Sequence, residues 1–578
     1  MSERKSEREN MDEGTGTRRV VVIGGGIAGL ASAALLAREG YSVDLVEARE
    51  EFGGRAGSWE QDGFRFDTGP SWYLMPEVFD HFFRLLGTTA AAELDLQQLD
   101  PGYRVYFEDT DRPLDIQADR QANVELFERI EPGAGRALDR YLDSARRTYD
   151  MALGRFLYTS FTSYRPFLSP DLLGQLHRLG PLLLESLERF TGRHFRDHRL
   201  RQVLGYPAVF LGSSPDRTPS MYHLMSSLDL TGGVLYPQGG FARLIAVLVR
   251  LAREAGVRLH PGTPATAILT EPPRTGRRGR RRPGGARARA TGVRVRGRDG
   301  AERVLDADVV VSAADLHHTE TTLLEPRLQS YPEAYWRRRT SGPGAVLALL
   351  GVRGGLPELA HHSLFFTRDW DANFGAIRSG EVPDPASVYV CRPSATDPDV
   401  APEGHENLFV LVPMPADPGL GGGGSDGGGD PGVEAVADAA IDQLSRWAGI
   451  PDLAERVVLR RTVGPADFAR DLGAWRGGML GPAHTLAQSA MFRTGNASRR
   501  VDSLYYAGSS TIPGIGLPMC LISAEILLKR LRGDHSAGPL PEPLSPSGAV
   551  PTGMASAAAR AASVPASPAP VGEGAPWR

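Results

Sequence analysis

The chain has 578 residues, enough for two or more domains around a substantial core. Charged residues make up 23% of the chain and the formal net charge is −4, so no overall attraction to nucleic acid is expected. The only cysteines, Cys391 and Cys520, show no metal-ligand spacing and favour a reducing, cytoplasmic setting. No run of about twenty apolar residues lacks breakers, so the sequence predicts no membrane-spanning helix and leaves peripheral attachment open.

The first predicted element is a strand, a glycine turn and a helix over residues 20–37. This order of elements is typical of a dinucleotide-binding site. Gly24 would make the tight turn, Gly26 would let the backbone approach a pyrophosphate, and Gly29 would let the helix lie close to the strand. The helix N-terminus would offer free N–H groups to the phosphates. A twin-arginine signal or a membrane span starting near Arg18 is the alternative, which the interrupting glycines disfavour.

A second apolar run, residues 43–46, ends at Glu47. This carboxylate can accept both ribose hydroxyls of an adenosine, and it would repel a 2′-phosphate. The Gly53–Gly54 pair follows and gives another close backbone approach, while Arg55 can pair with phosphate oxygens. Residues 66–71 then form a predicted tight turn that could lie against a flavin ring.

Near the other end of the chain, residues 506–519 read as a strand, a glycine-rich bend and a helix start. Pro518 suits the first helical turn. The N-terminus of this helix could face the N1/C2=O edge of a flavin and stabilise the negative charge of its reduced form. The cofactor-binding residues predicted from all these blocks are Gly24, Gly26, Ile27, Ala28, Gly29, Glu47, Ala48, Gly53, Gly54, Arg55, Gly69, Pro70, Ser71, Gly508, Ser509, Gly516, Pro518 and Met519.

Alternation of strand and helix patterns predicts an α/β fold with a parallel sheet. The expected domains are a Rossmann-like nucleotide domain built from three separate segments and an α+β substrate domain with a helical part that could contact the membrane. The predicted boundaries are 17–88, 233–325 and 495–533 for the first, 89–232 and 326–494 for the second, and disordered ends over 1–16 and 534–578.

Two internal segments interrupt the predicted domains. The arginine-rich segment 274–290 could bind anionic lipid or nucleic acid, but we favour a solvated loop that joins two strands of a sheet, and no nucleic-acid partner is expected. The glycine-rich segment 419–432 is predicted to be a linker. Residues 156–190 are rich in leucine and aromatic residues at helical spacing. They predict the core of the helical part, or an amphipathic surface that dips into a membrane.

These blocks resemble the flavin-containing amine oxidase superfamily and, within it, the bacterial-type phytoene desaturase family. Residues 211–222, 233–241, 361–366 and 507–514 extend the resemblance over most of residues 18–532, whereas Glu51 departs from the basic residue common before the glycine pair. The resemblance implies FAD, a long hydrophobic polyene substrate, and removal of its hydrogens by hydride transfer to flavin N5. It also implies a cytoplasmic enzyme that lies peripherally on the inner face of the cell membrane.

Three other functions share this fold: carotenoid cis–trans isomerase, terminal-group carotenoid oxidase and flavin-free prenyl- or lipid-binding protein. The intact Glu47, glycine pair and Gly508 favour a flavin enzyme. For the catalytic proton acceptor the candidates are His361 and His362, against the simpler interpretation of packed core histidines. Neighbours on a strand point to opposite faces, so an adjacent histidine pair is not expected to chelate, and no metal is predicted.

Overall fold

The computed structural model describes residues 17–108, 110, 112–162, 180–272 and 287–545. The predicted disordered N-terminus, residues 546–578 of the predicted tail, most of the arginine-rich segment and residues 163–179 of the leucine-rich segment lie outside the described residues.

Strands and helices alternate along the described chain. The strands, in chain order, are β1 Arg19–Ile23, β2 Ser42–Val46, β3 Ser58–Gln61, β4 Phe64–Asp67, β5 Leu96–Gln98, β6 Tyr103–Phe107, β7 Leu114–Ile116, β8 Leu235–Pro237, β9 Arg258–His260, β10 Ala265–Glu271, β11 Ala288–Arg296, β12 Glu302–Asp306, β13 Val309–Ser312, β14 Gly344–Arg353, β15 His362–Phe366, β16 Val388–Cys391, β17 His405–Met414, β18 Val457–Val463, β19 Val501–Asp502 and β20 Leu504–Tyr506. The helices are α1 Ile27–Arg38, α2 Pro76–Leu85, α3 Ala90–Glu93, α4 Arg120–Ile130, α5 Ala134–Ala152, α6 Leu187–His194, α7 His198–Gly205, α8 Pro207–Phe210, α9 Ser226–Asp229, α10 Gly240–Glu254, α11 Leu316–Thr322, α12 Glu333–Trp336, α13 Trp370–Ser379, α14 Pro431–Ala448, α15 Leu453–Arg456, α16 Pro465–Leu472 and α17 Leu517–Arg532.

The predicted parallel sheet is confirmed. Five strands pair in the order β20-β13-β1-β2-β9, and every pairing is parallel. β1 and β13 are runs of valine with almost no exposure, as expected for strands covered on both faces. Val20 and Val22 pack against helices α1, α10 and α17, whereas Val21 and Ile23 face the sheet of β10, β11 and β12. This part of the fold therefore has three layers.

A second sheet of seven strands follows the order β18-β14-β17-β16-β15-β6-β7 and is mixed, because β15 pairs parallel with β6. The alternation along β14 separates two environments. Val346 and Leu350 pack against α14, whereas Leu347 points to the opposite side, where a large internal cavity lies. The cavity thus lies between the two sheets.

The arginine-rich segment connects β10 and β11, which pair antiparallel, as the sequence predicts. The prediction that residues 419–432 form a linker is wrong. Gly424 N–H donates to Thr462 Oγ1 at 2.9 Å, and a Cβ on Gly423 would lie 2.0 Å from the Thr462 carbonyl oxygen. The glycines are there because this loop packs directly against β18.

The start of the predicted flexible tail is also wrong. Residues 534–545 pack on the nucleotide domain, where Leu540 and Leu544 are each 4% exposed. The Leu544 N–H donates to the Leu85 carbonyl at 3.1 Å. Two apolar side chains in an Ala/Pro/Ser-rich stretch are a weak sequence signal, but they complete the cluster around α2 and α17. No helix within the described part of the chain is long and apolar enough to cross a bilayer.

We expect Leu540→Ala to lower the free energy of unfolding by about 2–5 kcal/mol, because it removes a buried side chain and leaves a cavity. Denaturant unfolding of the purified protein measures this. The control is Val304→Ala on β12, where the side chain is 50% exposed and the change should stay within about 0.5 kcal/mol. If residues 534–545 were flexible, both substitutions would change the free energy of unfolding by equally little.

Candidate active site

The carboxyl ends of the parallel strands meet at one edge of the first sheet. Gly24 follows β1, Glu47 follows β2, Ala313 follows β13 and Gly508 lies two residues after β20. Parallel pairing forces these ends together although the chain positions span almost 500 residues. The Ala313 N–H donates to the Ile23 carbonyl at 2.8 Å, which ties two of these strand ends directly.

The glycine turn after β1 packs with no room for side chains. Gly24 has φ +98°, a conformation that favours glycine, and a Cβ there would lie 2.9 Å from the Ala314 nitrogen. A Cβ on Gly29 would lie 1.8 Å from the Gly24 carbonyl oxygen, so Gly29 lets α1 lie close to the turn. Gly26 lies against the Gly53–Gly54 pair. A Cβ added to Gly54 would lie 3.3 Å from the Gly26 Cα. The result is a cradle of bare backbone at a helix N-terminus.

Two ionic groups flank this cradle. Glu47 is 9% exposed, and its carboxylate accepts from the N–H groups of Gly25 at 2.6 Å and Arg49 at 2.9 Å. A carboxylate with two such bonds keeps lone pairs for further donors. Arg55 pairs with Asp315 at 3.3 Å, and its buried Nε has no hydrogen-bond partner among the described residues. A guanidinium with an unused donor at this place suits a phosphate oxygen.

The glycine-rich bend from the C-terminal end of the chain closes the opposite side. Gly516 has φ +124° and precedes α17, with Pro518 in the first turn as the sequence predicts. Pro518 and Met519 line the cavity beside the cradle, so the N-terminus of α17, which carries partial positive charge, faces the same space.

The cavity has a volume of about 750 Å³ and extends from the cradle between the two sheets. All predicted cofactor-binding residues line it except Gly29, whose packing role is described above. Away from the cradle its wall is mainly aromatic and aliphatic. The apolar lining residues include Trp72, Leu157, Phe210, Leu224, Leu228, Leu347, Leu364, Phe366, Trp370, Phe409 and Leu411.

The two histidines predicted as proton acceptors do not line the cavity. His362 stacks on Trp72 with ring centroids 4.5 Å apart and hydrogen-bonds to the Tyr389 hydroxyl at 2.8 Å through Nδ1. Trp72 and Tyr389 line the cavity instead. Burial lowers the pKa of His361 to about 3 and that of His362 well below its ordinary value, so both rings are neutral. Neither ring lines the cavity, and a role of His361 or His362 as proton acceptor stays a prediction.

The argument against chelation also needs correction. The rings of His361 and His362 lie 4.6 Å apart, and donor atoms of this pair and Cys391 all fall within 4.8 Å of one another. Alternation does not separate the pair because β15 begins only at His362. Burial raises the pKa of the Cys391 thiol to about 12, so the sulfur is protonated at neutral pH. The absence of a metal stays a prediction.

Sequence reasoning missed a polar pair in the cavity wall, His484 and Tyr222. The Ile515 N–H donates to His484 Nε2 at 3.1 Å, so Nδ1 of the neutral ring carries the proton and donates to the Tyr222 hydroxyl oxygen at 2.8 Å. Burial and the nearby Arg493 hold the pKa of His484 well below its ordinary value. The one sequence signal is Gly514, where a Cβ would lie 2.3 Å from the His484 ring.

We expect Gly29→Ala to reduce the FAD that copurifies by about tenfold or more, because its Cβ meets backbone rather than a movable side chain. Flavin absorbance relative to protein measures this. The matched control is Gly432→Ala in the first turn of α14, where the nearest atom to the new Cβ is 3.6 Å away. Equal flavin content in both variants would contradict the packing role of Gly29.

Comparison with known proteins agrees with this geometry. Residues 27–526 match the family described as flavin containing amine oxidoreductase. A carotenoid 3,4-desaturase of Haloarcula japonica is 39% identical over 507 residues, which cover 88% of this chain and 96% of that protein. A zeta-carotene-forming phytoene desaturase of Myxococcus xanthus is 35% identical over 522 residues, 90% of this chain and 95% of its own.

Solved structures show the same fold at low identity. Putrescine oxidase with bound putrescine is 15% identical, with a TM-score of 0.53 over 89% of this chain and 99% of that one. An oxidoreductase from Methanosarcina mazei is 16% identical, with a TM-score of 0.52 over 88% of this chain and 100% of its own. With the family match over most of its length, the chain belongs to the flavin containing amine oxidoreductases, and FAD is its cofactor.

Proposed function

We propose that this protein is an FAD-dependent carotenoid desaturase, which removes hydrogens from a long polyene by hydride transfer to flavin N5. One observation carries the proposal: the cavity that begins at the dinucleotide cradle continues into a long apolar wall between the two sheets. An unfunctionalised hydrocarbon is recognised by area and shape, and this lining offers both. The relatives described above, which bear the names of carotenoid and phytoene desaturases, support the same substrate class.

The predicted site residues take matching roles in this proposal. The cradle of Gly24 and Gly26, with Arg55, holds the pyrophosphate, and Glu47 accepts the ribose hydroxyls. The bend from Gly508 to Met519 holds the isoalloxazine. We assign the three predicted nucleotide segments and the two predicted substrate segments to the two halves of this site; in support, the five strands of the parallel sheet all come from the nucleotide segments.

Each new double bond forms as one carbon loses a proton that passes to solvent and the adjacent allylic carbon loses a hydride, for which FAD would supply the acceptor when bound. The chain's own residues place that carbon and keep water away. Trp72 and Phe210 are held in an aromatic cluster, with their ring centroids 5.4 Å apart, and both line the cavity. Rigid aromatic walls fix a flexible chain in one register, which lowers the entropic barrier to the reaction. The N-terminus of α17 offers partial positive charge where negative charge develops.

We further propose that the substrate enters from a membrane and that the protein lies peripherally on the inner face of the cell membrane. Leu183 and Leu184 are 37% and 81% exposed in the helical residues 180–184. Leu182 beside them packs against the same buried cluster as Phe210 and Trp72 of the cavity wall. Exposed leucines next to the substrate wall suit a surface that contacts the acyl chains in which polyenes dissolve.

Purified FAD-loaded protein should convert phytoene or another acyclic carotene in liposomes, with an added electron acceptor, into products of lower mass and longer-wavelength absorption. Two mass units disappear with each new double bond, and acceptor is consumed in proportion. Product of unchanged mass would indicate an isomerase, and product with added oxygen a terminal-group oxidase. If flavin is bound but no candidate polyene changes, the proposal is wrong.

Replacing both Leu183 and Leu184 by serine should reduce flotation with anionic liposomes several-fold and leave FAD content unchanged. The apolar side chains are lost from an exposed place, so folding should be unaffected. Val458→Ser on β18, 48% exposed, is the control at another surface. Wild-type flotation of the double variant would place the membrane contact elsewhere or rule it out.

A further inference from the structure

Arg493 is a buried cation that has no counter-ion among the residues that the structure describes. Its side chain is 5% exposed, and all the hydrogen bonds of its guanidinium end on backbone carbonyl oxygens. The acceptors are Thr511 at 3.1 Å, Pro482 and Gln488 at 3.2 Å each, and Ser509. No carboxylate of the described chain forms an ion pair with it.

Such a charge is costly in a protein interior unless something compensates it. Burial lowers the pKa of Arg493 to about 10, which still leaves the group protonated at neutral pH. The ionisable groups that interact with it are the phenols of Tyr222 and Tyr335 and the ring of His484, all of which are neutral. The charge is therefore retained without an acidic partner.

The position of Arg493 points to the missing partner. Ser509, which it contacts, lines the cavity at the bend expected to hold the flavin, and His484 beside it lines the cavity as well. The N-terminus of α17 adds partial positive charge from the same side. The carboxylate nearest this corner of the site, Asp315, is already paired with Arg55, so it does not neutralise Arg493.

We infer that Arg493 is the buried counter-charge for the reduced flavin, and that it raises the reduction potential of the bound cofactor. Oxidised flavin is neutral, and the product of hydride transfer is an anion. A fixed cation behind Ser509 therefore stabilises the reduced form more than the oxidised form. A higher potential makes the cofactor a stronger oxidant for a C–H bond that no neighbouring functional group activates. Arg493 acts through its field and through Ser509, so it is a positioning residue rather than a catalytic one.

Arg493 could instead be only a clip that joins the segments around Pro482 and Thr511. The potential of FAD-loaded protein without substrate separates these roles, and it does not depend on the polyene proposal. Arg493→Gln keeps hydrogen-bond donors for the carbonyls but removes the charge. Arg493→Lys keeps the charge but makes fewer hydrogen bonds to these carbonyls. We expect the Gln variant to lose about tenfold in the ratio of affinities for reduced over oxidised FAD, which lowers the potential by about 30 mV.

The Lys variant should stay near the wild-type potential, and so should Arg500→Gln, which removes an exposed arginine from the same segment. If the Gln variant loses FAD on purification, titration of the apo protein with oxidised and then reduced FAD gives the same ratio by linkage. An unchanged ratio in the Gln variant, or equal shifts in the Gln and Lys variants, would overturn the inference and leave Arg493 as a clip.

Discussion

The parallel pairing of β1, β13 and β20 is the constraint on which the site depends. Each strand in a parallel sheet delivers its carboxyl end to the same edge, so pairing alone brings Gly24, Asp315 and Gly508 together. The β13–β20 ladder is decisive because it returns the C-terminal part of the chain to the N-terminal turn. Without it, the bend that carries Ser509 and the start of α17 would have no fixed relation to the cradle.

The second sheet uses the opposite design. Its neighbouring strands are mostly antiparallel, and β14, β15, β16 and β17 divide their residues between a helix-covered face and the cavity. A parallel sheet buried on both faces presents its polar groups at strand ends, where a charged cofactor fits. A sheet with one face turned to a cavity presents a broad apolar surface, where a hydrocarbon fits. The two chemistries of the site thus follow from two sheet architectures.

Local sequence patterns predicted the parts of the site that depend on backbone shape. Gly24, Gly26 and the Gly53–Gly54 pair are required by close approach, and that requirement leaves a glycine in the sequence wherever it occurs. Burial of a side chain by residues distant in sequence leaves no comparable local pattern. Nothing near His361 shows that Trp72 and Tyr389 would cover the neighbouring His362, because the covering residues come from distant strands and turns. For the same reason composition predicted a free tail where Leu540 is buried.

Arg493 and the apolar wall have a common physical logic. A hydrocarbon substrate requires a dry cavity, and a dry cavity has a low effective dielectric constant. In that medium the field of a buried guanidinium and of a helix N-terminus reaches the cofactor with little screening, whereas the same groups in water would have a small effect. Desolvation makes the charge of Arg493 destabilising when no cofactor is bound. The same desolvation strengthens its stabilisation of negative charge once that charge forms nearby. The apolar environment that selects the substrate also strengthens the electrostatics that would drive its oxidation.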